Sequence, residues 1–425
     1  MSKQEKKNWH PETRALHDGW HPEKKGEPLV PSWEPATVFK HPETGLGSEN
    51  WSYTRLGNPN RSQLENTLAS LEGGEQAITF ASGMAAVQAV FHLLSPGDHV
   101  LLPDDLYHGV RNLIHDQYAR WGLTFDFVDM TTISSVEQAA TPRTRLLWLE
   151  TPSNPMLRIS DIAELTALAR SRGWLSVVDN TWTTPVIQRP LELGADISLY
   201  STTKYIGGHS DALGGALVIG SRNERSEGSF PEQQIGEKES EDVSGMESED
   251  DIIMASRSSY RNMIAELDSR LRSWQVQAGA VPSPFDCWLL LRSIKTLYTR
   301  IRAQSANAQL IAGRLLGHYA VEKVYYPGLQ GHVGREIASR QTDLPGAMIS
   351  FQVKGDARAA LNVVSSSQLI LPATSLGGVE STWEHRKTSE YAESPTPDNL
   401  IRLSVGIEHA EDIWKDLDHS LRSAF

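Results

Sequence analysis

Lys204 ends the run Ser201-Thr202-Thr203-Lys204, and Asp179 ends the apolar run Leu175-Ser176-Val177-Val178. A second apolar run, Ile197 to Tyr200, leads into the lysine. If the two runs are parallel strands of one sheet, an acid and a primary amine emerge at its carboxyl edge, where doubly wound sheets bind ligands. An amine kept neutral by burial or by nearby positive charge can attack an aldehyde. An acid can hold a pyridine nitrogen protonated, so the pair suits a pyridoxal phosphate site. A Ser-x-Thr-Lys turn alone is more often a solvated surface turn; the pairing with Asp179 reverses that reading.

Such a site needs phosphate donors. Ala81-Ser82-Gly83-Met84 follows a short apolar run and opens a helical pattern. Glycine there permits close backbone approach, and a helix N-terminus offers unpaired N–H groups. Ser201 and Thr203 supply hydroxyls in the lysine's own turn. Tyr53 and Arg55 precede the first strand, and a guanidinium suits bidentate phosphate recognition. Tyr107 follows the second strand and could stack on a flat ring. Asn154 follows the fourth strand, where an amide could meet a phenolic oxygen or a substrate carboxylate. Arg402 lies inside the apolar segment Leu400-Ile401-Arg402-Leu403, needs a partner there, and would suit an amino-acid carboxylate. His209 has no second histidine at ligand spacing, so a structural hydrogen bond is expected and no metal site. There is no strand–G-x-S-x-G–helix elbow and no dinucleotide fingerprint.

These residues must be positioned by alternating elements. Seven strand-like runs, Ala77–Phe80, His99–Pro103, Thr124–Asp129, Leu146–Glu150, Leu175–Asp179, Ile197–Tyr200 and Gly215–Ile219, alternate with helical patterns. That predicts an α/β domain around a seven-stranded, mostly parallel sheet. Leu64, Leu68 and Leu71 mark a helix that Gly73-Gly74 ends, and Ser160 with Glu164 opens another that Gly173 closes. A long helical pattern from Asp286 toward Leu316 leads to a smaller C-terminal α+β domain. Its expected strands are Met348–Val353, Leu369–Leu371 and Ile401–Val405, and a helix over His409–Leu421 ends it.

The organisation expected is an N-terminal arm over 1–52, a cofactor-binding domain over 53–282 and a C-terminal domain over 283–425. The arm is polar and without sustained period, so it reads as extended. Residues 222–262 hold eleven acidic against five basic residues, a net of −6 in a chain of net −13, and read as a disordered insertion. The acidic balance argues against a nucleic-acid partner. At 39% hydrophobic and 22% charged residues the 425-residue chain has an ordinary globular composition, with no run long enough to span a bilayer. Cys287 is the single cysteine, and the first residues lack an apolar signal core. Both fit a cytoplasmic protein.

Taken in order, the blocks YTRLGNPNR, LEGGEQAITFASGMAA, ETPSNP, VVDNT, STTKYIGGHSDALGG, GAVPSPFDCWLLLRSIKTL, TSLGGVES and IRLSVGIEHAED resemble the Cys/Met-metabolism branch of fold-type I pyridoxal-phosphate enzymes. The resemblance runs from Tyr53 to the C-terminus, broken by the acidic segment. It implies that Lys204 forms the Schiff base and shuttles protons, and that Asp179 holds the pyridine nitrogen, with Thr181 in the same cofactor-binding block. Tyr107 would stack on the ring. Gly83, Met84, Ser201 and Thr203 would bind phosphate, and Tyr53 and Arg55 would reach the phosphate of a neighbouring subunit. Arg402 would hold the substrate α-carboxylate, Asn154 the cofactor's oxygen edge and the substrate, and Ser375 would position Lys204. A homodimer is then the minimum, usually paired into tetramers, acting on a small amino-acid substrate.

The same resemblance bears on the reaction. Leu376 stands where β-lyases of the family usually have tryptophan, which favours γ-replacement or γ-elimination on a sulfur or O-acyl-homoserine amino acid. Ser52, Asn112 beside Arg111, and Thr374 replace residues that cystathionine enzymes usually carry at the distal end of the pocket. Gly109 stands where methionine γ-lyases have cysteine. Cystathionine β-lyase-type elimination and homoserine sulfhydrylation remain alternatives, and a non-catalytic scaffold is a remote one.

Overall fold

The computed structural model describes residues 9–22, 24–40, 51–221, 249–390 and 394–425. The first sheet is built from β1 (Gly74–Phe80), β2 (His99–Pro103), β3 (Thr124–Val128), β4 (Thr144–Glu150), β5 (Leu175–Asp179), β6 (Ile197–Tyr200) and β7 (Gly215–Ser221). Their order is β1-β7-β6-β5-β4-β2-β3, and β7 alone runs against its neighbours. Both faces are covered, so the central strands are apolar on both sides. Leu147, Leu149 and Val178 face a core shared with the helices Pro59–Glu72 and Ile162–Ser171. Leu146, Trp148 and Val177 face the opposite core, with the helix Gly83–Phe91 and with Ile264, Leu267 and Leu271.

The second sheet holds β8 (Val321–Tyr325), β9 (Met348–Val353), β10 (Leu371–Pro372), β11 (Thr382–His385) and β12 (Leu400–Ser404), in the order β10-β11-β12-β9-β8. It is antiparallel except for the β10–β11 pair. The helix Leu297–Leu316 ties the halves together: Leu297 and Ile301 lie in a core of the first sheet, Ala308, Ile311 and Leu315 in that of the second.

Several expectations are corrected. The arm is not wholly extended: Pro11–His17 is a helix, started by proline and burying only Ala15, too short for a periodic signal. Most of the acidic segment, 222–248, lies outside the described residues, but the helix Glu249–Gln277 takes its last part out of a disordered reading. That helix's later turns are anchored, with Arg272 donating to the Ala77 carbonyl and Gln275 to that of Thr79. The long pattern after Asp286 is two helices, Pro284–Ile294 and Leu297–Leu316, parted at Lys295-Thr296. Asp161, not Ser160, caps the helix Ile162–Ser171 by accepting from the Glu164 N–H at 3.1 Å. Strands β8 and β11 carry too many charged residues for an apolar run to show.

Candidate active site

Strands β4, β5 and β6 end together, and their register pairs Glu150 with Asp179 and Asp179 with Leu199. A buried carboxyl, Glu150, and a half-buried one, Asp179, therefore sit side by side at the carboxyl edge. Burial, then the neighbouring Asp179, pushes Glu150 well above its ordinary value. Burial brings Asp179 up to about 6, opposed by hydrogen bonds from Thr181. Like charges so close do not both ionise readily, and of the two Glu150 is held further from its charged form. Thr181 fixes Asp179 through its N–H at 3.0 Å, while its hydroxyl accepts from the Ser201 N–H at 2.9 Å. This one threonine ties the acid to the lysine's turn.

Lys204 stands in the turn after β6 with its Nζ donating to Ser375 Oγ at 2.5 Å. Burial first, then the Arg402 guanidinium, bring the amine from 10.5 down to about 8, with Glu384 opposing. An amine so shifted is available as a nucleophile near neutrality. The turn is braced from below by Arg300, whose guanidinium donates to the carbonyls of Tyr205 at 2.7 Å and Ser293 at 3.1 Å. A Cβ on Gly208, at φ +69°, would come within 2.0 Å of that guanidinium. Glycine is required there for both the backbone angle and the close approach.

The anion donors converge on the same turn. A Cβ on Gly83 would lie 2.8 Å from Ser201 Cβ, so the helix start and the lysine turn touch through glycine's bare backbone. Ser82 caps the helix by accepting from Ala85 N–H at 3.1 Å and takes up the Ala86 N–H through its carbonyl. Among the described residues the N–H groups of Gly83 and Met84 meet no acceptor, which leaves two donors at a positive helix end. Thr203 is turned elsewhere: its hydroxyl closes the loop to Gly214, donating to the carbonyl and accepting the N–H, both at 3.1 Å. Ser201 and the two amides as donors, Asp179 as acceptor and Lys204 as amine together fit pyridoxal phosphate.

Arg402, on β12, is 4% exposed. Its Nη1 donates to Asn154 Oδ1 at 3.0 Å and its Nη2 to the Ser375 carbonyl at 3.2 Å and to Glu384. Burial, then the nearby Arg386, brings its guanidinium down to about 10. Asn154, Ser375, Lys204 and Arg402 are thus one connected group. Tyr107 is 37% exposed, with its N–H given to Glu150 at 2.9 Å, so the acid beside Asp179 also sets the aromatic residue. A Cβ at Gly109 would meet the Tyr107 ring at 2.4 Å. A cysteine there would displace that ring.

Tyr53 and Arg55 stand apart. Arg55 donates to the Val276 carbonyl at 3.0 Å and lies over the Tyr53 ring, and the described contacts join neither to Lys204. Thr374 and Asn112 are exposed and Ser52 half-buried. His209 makes the structural bonds expected of it, to the Gly207 carbonyl and Ser293, and no metal-binding cluster occurs among the described residues. Sequence reasoning missed Glu384, Arg386 and Glu390, a buried charged group behind Arg402. The spacing Glu384-x-Arg386 beside Trp383 was a signal, though a faint one.

Residues 12–422 match the sequence model of the family described as Cys/Met metabolism PLP-dependent enzyme. The chain is 40% identical over 418 residues to a cystathionine gamma-synthase of Mycobacterium tuberculosis, covering 97% of this chain and 96% of that one. It is 38% identical over 419 residues to a cystathionine beta-lyase of Lactococcus lactis, covering 96% and 98%. The crystal structure of metB from Corynebacterium glutamicum superposes with a TM-score of 0.86 at 35% identity, over 98% of this chain and 99% of that one.

Proposed function

Because this chain belongs to the Cys/Met-metabolism family of pyridoxal-phosphate-dependent enzymes, we propose that it carries out γ-replacement or γ-elimination on a sulfur or O-acyl-homoserine amino acid. The observation that carries the reading is the joined set of Lys204, Ser375, Asn154 and Arg402: a depressed amine beside a carboxylate anchor. Leu376, in place of a bulky tryptophan, supports γ over β chemistry.

Bound between Asp179 and Lys204, the cofactor supplies an electron sink for charge left at the substrate Cα. The chain's residues do the rest. Arg402, oriented by Asn154, holds the α-carboxylate so that the Cα–H bond faces the amine. Lys204 would take the Cα proton, give it up at the cofactor's C4′ and so be free to take a proton from Cβ, with Ser375 holding its Nζ in line between the two. Asp179 would keep the pyridine nitrogen protonated, with Glu150 beside it on the next strand. Ser201 and the N–H groups of Gly83 and Met84 receive the phosphate, and Tyr107 covers the ring.

Tyr53 and Arg55 are assigned to the phosphate of a second subunit, since both are exposed and neither contacts Lys204 within this chain. The arm leaves Leu29, Val30, Trp33 and Val38 exposed, which supports at least a homodimer, paired into a tetramer. Residues 53–282 form the cofactor-binding domain and 283–425 the C-terminal one. Among the described residues no helix is long and apolar enough to cross a membrane; we assign the enzyme to the cytoplasm. The test is a panel of cystathionine, methionine and the O-acetyl and O-succinyl esters of homoserine with cysteine. Thioether formation or 2-oxobutanoate supports γ chemistry, and pyruvate as the sole keto acid overturns it.

A further inference from the structure

Arg402 is not an isolated anchor. Glu384 Oε1 accepts from Arg402 Nη2 and, at 2.8 Å, from Arg386 Nη1, so two guanidiniums share one carboxylate oxygen. Its other oxygen accepts from Ser389 Oγ at 3.0 Å. Arg386, with 2% of its side chain exposed, further donates through Nε to Glu390 at 2.6 Å and through Nη2 to His108 Nδ1 at 3.0 Å. A guanidinium only donates, so His108 Nδ1 is the acceptor and the ring is neutral with its proton on Nε2. Burial, then Arg386, lowers the histidine's value in agreement. The His108 ring meets Tyr107 at 4.7 Å. A buried chain thus runs from the carboxylate anchor, through Glu384 and Arg386, to the neighbour of the ring-covering tyrosine.

Burying a second arginine here is costly unless it is paired, and catalysis as proposed does not call on it. What it alters is Glu384. Facing Arg402 alone, that carboxylate would be a resident rival for the substrate's own. Shared with Arg386 and held by Ser389, it becomes a brace. Arg402 keeps its orientation, and among the described residues its Nε–H and one Nη1 hydrogen meet no acceptor.

We propose that Arg386 is a positioning residue for substrate recognition, which by sharing Glu384 with Arg402 keeps that carboxylate from neutralising the anchor alone and leaves the Arg402 guanidinium able to take an amino acid's α-carboxylate. The inference rests on the functional reading above and adds the residue that sets its selectivity for carboxylate-bearing amines.

The test uses the holoenzyme and the variants Arg386→Met, Arg386→Lys and the charge-balanced E384Q/R386M. Binding of L-alanine and of ethylamine, which lacks the carboxylate, is followed by the cofactor's absorbance, alongside KM and kcat. Arg386→Met is expected to weaken L-alanine binding and raise KM by about tenfold, with kcat within about threefold and ethylamine binding unchanged, the pattern of lost uniform binding. E384Q/R386M should recover most of the loss, because the rival carboxylate is gone. Equal losses for alanine and ethylamine, a fall in kcat at constant KM, or no recovery in the double variant would overturn the proposal. If Arg386→Met does not fold, Arg386→Lys and the double variant decide it: the lysine should show a smaller loss confined to alanine, and unchanged alanine affinity overturns the idea. Wild-type enzyme that binds no cofactor and accepts no amino acid would instead contradict the functional reading itself.

Discussion

At the scale of single residues, the site depends on moving a few groups away from their ordinary protonation. Burial and Arg402 lower the Lys204 amine to about 8, so about half of it is neutral at pH ~8. Apoenzyme should therefore take up pyridoxal phosphate faster as pH rises toward about 8 and level off beyond it. A lysine at its ordinary 10.5 would keep gaining through pH 10, and stopped-flow absorbance distinguishes the two. Lys204→Ala should leave no cofactor attached to the chain after borohydride reduction, read by intact mass. Asp179 and Arg402 were legible because each is a polar residue at the end of, or inside, an apolar run, and Lys204 and Asn154 because each stands in the turn that follows one. Thr203's turn toward Gly214 was not legible. A hydroxyl one residue from the lysine looks the same in sequence whichever way it faces. The Glu384–Arg386 pair was hidden for a related reason: three short ion pairs satisfy it, and ion pairs formed between elements leave no periodic trace.

At the scale of elements, strand ends matter more than strand interiors. The seven strands of the first sheet were legible because helices cover both faces and force uninterrupted apolar runs. In the second sheet β8 was missed because it is an edge strand exposing Glu322 and Lys323, and β11 because Glu384 and His385 are buried by ion pairs and hydrogen bonds rather than by apolar contact. Below the lysine turn, Glu72 joins the helix Pro59–Glu72 to the end of β6, accepting from the Tyr200 hydroxyl and, at 3.3 Å, from the Leu191 N–H. Burial raises its carboxyl from 4.5 to about 8. The folded chain then holds a proton that the unfolded chain releases, so the contribution is fully present below about 4.5 and is lost as pH rises through about 8. Melting temperature should therefore fall between about pH 5 and about pH 8, and fall less in Glu72→Gln. Parallel pH profiles for the two proteins would contradict that role.

At the scale of the whole molecule, the helix Leu297–Leu316 sets the distance between sheets, and with it the meeting of Lys204 from one half and Ser375 and Arg402 from the other. No single stretch of sequence contains that meeting, which is why the site read from sequence was a set of separate candidates until the fold joined them. The arm bears on assembly. Trp33, half-exposed and edge-on to Phe285 at 5.4 Å, lies among the uncovered apolar side chains. Trp33→Glu should shift sedimentation toward monomer and weaken cofactor binding together, because the proposed reach of Tyr53 and Arg55 to a second site would be lost; loss of neither would place the interface elsewhere.

The proposed γ chemistry requires that the proton taken at Cα be followed by one at Cβ, so that the bond broken lies at the γ-carbon. Cystathionine separates the possibilities in one reaction, since γ-cleavage releases 2-oxobutanoate with cysteine and β-cleavage releases pyruvate with homocysteine. Purified enzyme supplied with cystathionine, or with an O-acyl-homoserine and no thiol, is predicted to yield 2-oxobutanoate by mass spectrometry. Pyruvate and homocysteine from cystathionine, with no product from either ester, would contradict it.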